Sequence, residues 1–368
     1  MAHNSLSMPS VPYSRPQTPH PQHQVGFVGL GAMGKHMALN LAQSLATQNM
    51  PLPPLMVYNR TASKAQELAD SSDGLIKVCE DLAQLGQCCD LIFTSLANDA
   101  AAESVYAQLL QGEEKRNGTK EDRHSTFRVV YVDTSTLYPE TSGKIERMVS
   151  SVPGRAYVQA PAFGPPPMAK EGQLVFALAG PHQSKKFVAQ FLVPGMGRKI
   201  MDFGSNCETA SSFKLIGNSL ILSTIEMLSE CMTLAEKTGC GAERFSEFVT
   251  EFFPAPSAIG YTKKILEQKF LSDEGFSLNG GIKDASHIQR LGASVDCPMP
   301  IVDIAMSHLI SARANSNGRD LDWSSLVAGQ RIAAGLPPFS NKVGLEKWGS
   351  AKGGASAGSS KSGEEHKQ

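Results

Sequence analysis

The chain has 368 residues, 41% of them hydrophobic, with 34 basic against 35 acidic side chains, enough for two ordinary domains that each bury a core. This even charge balance, with no basic stripe carrying interleaved aromatics, argues against a nucleic-acid partner, and no run of about 18 apolar residues exists to span a membrane. Cys79, Cys88, Cys89, Cys207, Cys231, Cys240 and Cys297 are odd in number and lack C-x-x-C or Cys/His metal spacing. No metal site is therefore expected, and the pattern fits reduced, mostly buried thiols in a reducing compartment.

Residues 1–23 are rich in Pro, His, Ser and Gln, with no apolar core segment and only one arginine, Arg15. They read as a disordered leader rather than a secretory signal or transit peptide. With no peroxisomal tripeptide at the end, a cytoplasmic location is expected. The Gly/Ser/Lys-rich stretch 349–368 reads as a disordered tail.

"VGFVG" (25–29) is a short buried strand that runs into glycines and then the helical pattern "AMGKHMALNLAQSLA". "LMVYN" (55–59), "LIFTSL" (91–96) and "VVYVDTST" (129–136) are further strands with helical stretches between them, and "AYVQAPAF", "VFALAG" and "KIMDFG" add three more strand signals. Strands alternating with helices predict a Rossmann-type, doubly wound parallel sheet over 24–204. The charged insert "QGEEKRNGTKEDRHSTF", without periodicity, reads as an exposed loop. From about 206 the chain shows some 33 residues of uninterrupted helical pattern, closed by Lys237 and Gly239, a length suited to joining two domains. The helical patterns that follow predict an all-helical second domain over 205–348.

"GFVGLGAMG" places Gly29, Gly31 and Gly34 as G-x-G-x-x-G between a strand and a helix. The first glycine permits the turn, the second lets the backbone approach a pyrophosphate, and the third packs helix on strand. The phosphates would then lie on the helix N-terminus. An acidic residue usually ends the second strand where NAD is preferred, to accept the ribose 2′-OH; here "VYNRT" stands instead. Asn59 brings no charge to repel a 2′-phosphate, Arg60 offers a fork of donors and Thr61 a hydroxyl, so NADP(H) is the expected cofactor, with NAD(H) second. On the long helix, Lys214 and Asn218 share one face at i and i+4. An ammonium and an amide together can hold a carbonyl or alcohol oxygen, and a lysine kept from water can have its pKa lowered into the range that acid–base work requires.

The order of these motifs resembles the β-hydroxyacid dehydrogenase family, which includes 3-hydroxyisobutyrate dehydrogenase and is more distantly similar to 6-phosphogluconate dehydrogenase. The resemblance is carried by "GFVGLGAMG", "NRT", "SLANDAA", "DTST" (133–136), the K-x-x-x-N of Lys214 and Asn218, "GIKDAS" and "DLDWSSLV", and spans roughly residues 25–330. It implies an enzyme that interconverts a carbonyl and an alcohol of a small molecule, with Lys214 as general acid and base and Asn218 fixing the substrate oxygen. The cofactor site it implies comprises Gly29, Leu30, Gly31, Ala32, Met33 and Gly34, then Asn59, Arg60 and Thr61. Leu96, Ala97 and Asn98, with Thr134 and Lys283, complete it. Ser135 and Thr136 would contact substrate, Asp284 would order its turn, and His287 reads as a hydrogen-bonded structural residue. Family members pack their helical domains together, so a homodimer or homotetramer is expected.

One segment departs from the family. Its substrate loop usually reads D-A-P-V-S-G-G, whereas Gln159 to Pro165 here read "QAPAFGP". Phe163, Gly164 and Pro165 are therefore expected at the substrate, with a phenyl ring where a hydroxyl would stand and one backbone donor removed. Two other readings compete: an imine reductase on the same scaffold, which would typically replace the catalytic lysine, and an NADP-binding protein without turnover, which would tolerate loss of Lys214 or Asn218. Both residues are present.

Overall fold

The computed structural model describes residues 12–13, 23–47, 52–115, 129–271 and 275–339. Strands β1 (Val25–Val28), β2 (Leu55–Tyr58), β3 (Ile76–Val78), β4 (Leu91–Thr94), β5 (Val129–Asp133) and β6 (Arg155–Gln159) form one parallel sheet in the order β3-β2-β1-β4-β5-β6. Its crossovers contain helices α1 (Gly34–Thr47), α2 (Ala62–Asp70), α3 (Leu82–Cys88), α4 (Asp99–Glu114) and α5 (Pro139–Ser150). Successive strand residues point to opposite faces, so alternate positions feed two cores. Phe27, Phe93 and Val132 pack into one, and Val28, Ile92 and Tyr131 into the other. A sheet covered on both faces needs the near-continuous apolar strands that the sequence supplies. The order of strands reverses between β1 and β4, which opens a crevice at their C-terminal ends.

Three features differ from the sequence reading. β3 lies in "LIKVC", a stretch too short for a clear strand signal, and pairs in parallel with β2, Met56 opposite Lys77. The segment "AYVQAPAF" is two strands, because Pro161 cannot donate to a ladder. β6 ends at Gln159, and β7 (Ala162–Phe163) joins β8 (Leu174–Leu178) and β9 (Gly197–Asp202) in a separate three-stranded mixed sheet. The charged insert does not begin as a loop: α4 continues to Glu114 and buries Glu113 against Arg155, whose Nε donates to Glu113 Oε2 at 2.7 Å. Positions 116–127 of that insert lie outside the described residues, as do the tail and most of the leader. Within the leader, Tyr13 is seated on the folded domain, its hydroxyl donating to Asp202 Oδ2 at 2.8 Å. Only three of the seven thiols are buried, Cys79, Cys89 and Cys207, so the expectation that most are does not hold.

Short helices α6 (Pro166–Lys170) and α7 (His182–Leu192) surround the small sheet. Helix α8 (Cys207–Lys237) then runs 31 residues, roughly 45 Å at 1.5 Å per residue, capped by Asn206, whose side chain accepts from Glu208 N. It packs against α5 of the first unit and against the helices that follow. These are α9 (Ala242–Phe252), α10 (Pro256–Glu267), α11 (Leu278–Ser294), α12 (Pro300–Ala314), a 3₁₀ turn at Trp323–Leu326, and α13 (Val327–Ala333). Leu215, Leu222, Ile225, Leu278, Ile288, Leu309 and Trp323 form their common core. The architecture is thus a Rossmann-type sheet followed by a helical unit, with α8 shared between them. Among the described residues, no helix is long and apolar enough to cross a membrane.

Candidate active site

The glycine-rich turn follows β1. Gly29 has φ +94°, and a Cβ there would lie 2.2 Å from the Ser95 carbonyl oxygen; a Cβ on Gly34 would lie 1.9 Å from the Gly29 carbonyl oxygen. Both positions are closed to any side chain. Gly31 differs, since a Cβ there would meet nothing within 4 Å. Two glycines therefore make the turn tight, and the third leaves room above the start of α1, where a phosphate would meet backbone N–H groups and the positive end of the helix dipole. Leu30, Ala32 and Met33 lie in this turn.

Asn59 clamps the turn to the end of β2. Its Oδ1 accepts from Leu30 N at 2.9 Å and its Nδ2 donates to Thr61 O at 2.9 Å. Asn59 thus does more than avoid a negative charge: it fixes two loops against each other. Arg60 and Thr61 are exposed beside it, and among the described residues no hydrogen bond or ion pair engages the Arg60 guanidinium.

The loops after β4 and β5 are tied together. Leu96 N donates to Ser135 Oγ at 2.8 Å, and the Thr134 hydroxyl donates to Thr94 O at 2.7 Å. Asp133, fully buried, accepts from Ser135 N at 2.7 Å, and burial raises its pKa. Gln159 Nε2 donates to Ser135 O at 3.2 Å. Ser135 is therefore held on three sides, its oxygen accepting from Leu96 N and its hydroxyl bonded to the buried Asp133 carboxyl. Ala97 follows in this loop. The Asn98 side chain caps α4, its Oδ1 accepting from Ala101 N at 2.9 Å.

The α8 residues lie where the two units meet. Lys214 and Asn218 are 8% and 7% exposed, and Lys214 Nζ donates to Asn218 Oδ1 at 3.0 Å. Asn218 Nδ2 in turn donates to the fully buried Asp284 at 2.6 Å. Lys283 Nζ lies 3.0 Å from the other Asp284 oxygen and donates to Thr136 O at 2.5 Å. A continuous polar chain thus links Lys214, Asn218, Asp284 and Lys283 to the loop that carries Ser135 and Thr136. Burial lowers the Lys214 pKa to about 8; Asp284 resists this and Lys283 adds to it.

Phe163 closes the other side of Lys214. The ammonium sits 4.3 Å from the ring centroid, and Phe213 meets the same ring edge-on at 5.7 Å. The ring approaches α8 so closely that a Cβ on Gly217 would lie 2.4 Å from it. A glycine inside an otherwise unbroken helix is the sequence signal for such an approach, and the sequence reading did not use it. Gly164 has φ +132° and leads into Pro165, the N-cap of α6.

Asp99 is a residue that sequence reasoning missed. It accepts from Tyr138 N at 2.8 Å and pairs with His287 Nε2 at 2.7 Å, joining α4 to α11 across the cleft. Partial burial opposes its ionisation, but the bonds from His287, Tyr138 and Thr141 hold its pKa well below the usual carboxylate range. Its signal was its place in the first turn of α4, after a capping asparagine.

Residues 24–204 match the model for the NAD-binding domain of 6-phosphogluconate dehydrogenase, and residues 209–329 match the NAD-binding model of NADP-dependent 3-hydroxyisobutyrate dehydrogenase. The chain is 28% identical over 307 residues to the uncharacterised oxidoreductase YfjR of Bacillus subtilis, covering 83% of this chain and 98% of that protein. It is 28% identical over 307 residues to glyoxylate/succinic semialdehyde reductase 1 of Arabidopsis thaliana (83% and 97% covered) and 26% identical over 302 residues to NADH-dependent oxidoreductase ucdB of Aspergillus ustus (82% and 98%). The fold is similar to that of 3-hydroxyisobutyrate dehydrogenase from Mycobacterium tuberculosis, with a TM-score of 0.67 at 20% identity over 84% of this chain and 99% of that one.

Proposed function

The chain belongs to the β-hydroxyacid dehydrogenase family and is an NAD(P)-dependent oxidoreductase acting on CH–OH groups, and we propose that it prefers NADP(H) and uses Lys214 as its general acid and base. One observation carries the proposal: a buried lysine with a pKa of about 8, bonded to Asn218 and joined through Asp284 and Lys283 to the strand-end loops.

The residues fit a dinucleotide. Gly31 leaves the open cradle, Gly29 and Gly34 keep it tight, and Arg60 stands unengaged at the end of β2, ready for a 2′-phosphate. Leu96, Ala97 and Thr134 line the continuation of the crevice, and Lys283 its inner end. When bound, the nicotinamide supplies hydride in reduction and takes it up in oxidation. In reduction, the Lys214 ammonium and Asn218 fix the substrate oxygen, and Lys214 gives that oxygen its proton. In oxidation, neutral Lys214 removes the proton from the hydroxyl. Ser135, held by Leu96 N and Asp133, contacts the substrate beside the nicotinamide, and Thr136, Phe163, Gly164 and Pro165 form the remaining walls. Retention of Lys214 favours this reading over imine reduction or binding without turnover. For the protein as a whole, a cytoplasmic homodimer or homotetramer is proposed. Ile216, Leu220, Met227 and Leu234 support self-association, since they form one exposed apolar stripe along α8.

The test has two arms. Lys214→Ala should lower turnover of any carbonyl substrate by about 10²-fold or more while leaving cofactor binding nearly unchanged. Arg60→Ala should remove a preference for NADPH over NADH of about tenfold or more, since a charge-assisted contact is worth ~1.5–3 kcal/mol. Near-normal turnover without Lys214, or equal wild-type affinities for the two cofactors, would refute the corresponding part.

A further inference from the structure

Three observations around Lys214 bear on what stands next to the reacting carbonyl. The first is the Phe163 ring, whose centroid lies 4.3 Å from the ammonium and whose edge packs into the space left by Gly217. The ring thus forms an apolar wall on one side of the Lys214 ammonium, with Phe213 behind it. The second is the start of α6, where Pro165 is the N-cap and Pro166 and Pro167 follow. A helix start offers its first four N–H groups to an anion, and here three of the four are absent by residue type, leaving Met168. The third is the neighbouring cation. Lys283 pairs with Asp284 and donates to the Thr136 carbonyl, so much of its charge is already offset by a buried carboxylate.

A carboxylate packed against Phe163 would meet an apolar ring that gives it no hydrogen bond, and the α6 start that follows Phe163 in the chain lacks three of its four donors. Were it to pair with Lys214, that ion pair would hold the lysine protonated and occupy the group that must serve the carbonyl oxygen. We infer that the preferred substrates are aldehydes or ketones with an uncharged, apolar group next to the carbonyl, and that Phe163 with Pro165–Pro167 sets this preference against carbonyl acids. This rests on the reading of Lys214 as proton donor.

Matched pairs isolate the charge: succinic semialdehyde against its methyl ester, and glyoxylate against methyl glyoxylate, each followed by NADPH consumption. The ester should exceed the acid at least tenfold in kcat/KM for the wild type. Phe163→Ser should narrow the ratio to below threefold, and Phe163→Leu, which keeps the wall apolar, should preserve it. Acids used as well as or better than their esters, with Lys214→Ala still abolishing turnover, would overturn the inference and leave the reaction class standing. Absence of cofactor oxidation with every compound of a wider aldehyde and ketone panel would overturn the reaction class and the inference together.

Discussion

Burying Lys214 should cost stability in a way that pH reveals. Its pKa falls from an ordinary 10.5 to about 8, which at 1.36 kcal/mol per pH unit corresponds to about 3 kcal/mol of disfavour for the charged form in the folded state. Between those two values the unfolded chain binds more protons than the folded one, so stability rises with pH across the window. Below about pH 8 the penalty is fully present. Integrating the linkage from pH 7 to pH 9.5 gives a gain of about 2 kcal/mol from this one group. Lys214→Met has no such proton, so the wild type should gain about 2 kcal/mol on the variant over that range. Comparing the pH dependence, rather than stability at one pH, cancels the cost of leaving Asn218 Oδ1 without its donor, which is the same at both ends. Urea unfolding followed by intrinsic fluorescence at the two pH values measures it. Equal pH slopes for wild type and variant would refute the claim that the fold depresses this lysine.

The same group should shape the rate. In reduction, kcat/KM should fall as pH rises through about 8, and in oxidation it should rise over the same range, as pH–rate profiles in each direction would record. Asn59→Ala should weaken NADPH and NADH alike, by about tenfold each in a fluorescence titration, because it frees both loops it clamps and leaves the Leu30 N–H without its acceptor. Arg60→Ala should affect NADPH alone, so the two variants separate clamping from charge recognition. Asp99, whose pKa is depressed, stabilises the fold above its unfolded pKa near 4 and loses that contribution as pH falls. Urea titrations at pH 6 and pH 3 should therefore show a larger drop for wild type than for Asp99→Asn.

The parts that the sequence made plain are those with local causes. Glycines that must be glycine, strands buried on both faces and a long helix closed at Lys237 all follow from short-range rules, and Gly29 and Gly34 have the predicted surroundings. The misses have nonlocal causes. β3 is three residues long and exists because β2 offers it a paired edge. Glu113 reads as one charge among several in a polar run, yet it is buried because Arg155, 42 residues away, meets it. Asp99 finds His287 at a separation of 188 residues, which no window along the chain can see.

The loop at 163–167 lies between these cases. Three prolines in a row signal missing donors from sequence alone, but whether that matters depends on where those donors would have pointed. The fold settles this by starting α6 at Pro166, so the prolines occupy the positions where a helix otherwise presents unpaired N–H groups. A proline at a helix start is ordinarily inexpensive because that N–H has no partner within the helix. Beside a buried lysine the same substitution acquires a second consequence. It removes anion donors just after Phe163 in the chain, and Phe163 itself packs against the Lys214 ammonium. Burial lowers the pKa of Lys214, and Phe163 is part of the apolar surface that lies against its ammonium. On the proposed reading, the packing that lowers the pKa of the proton donor also makes the site inhospitable to a charged neighbour of the carbonyl.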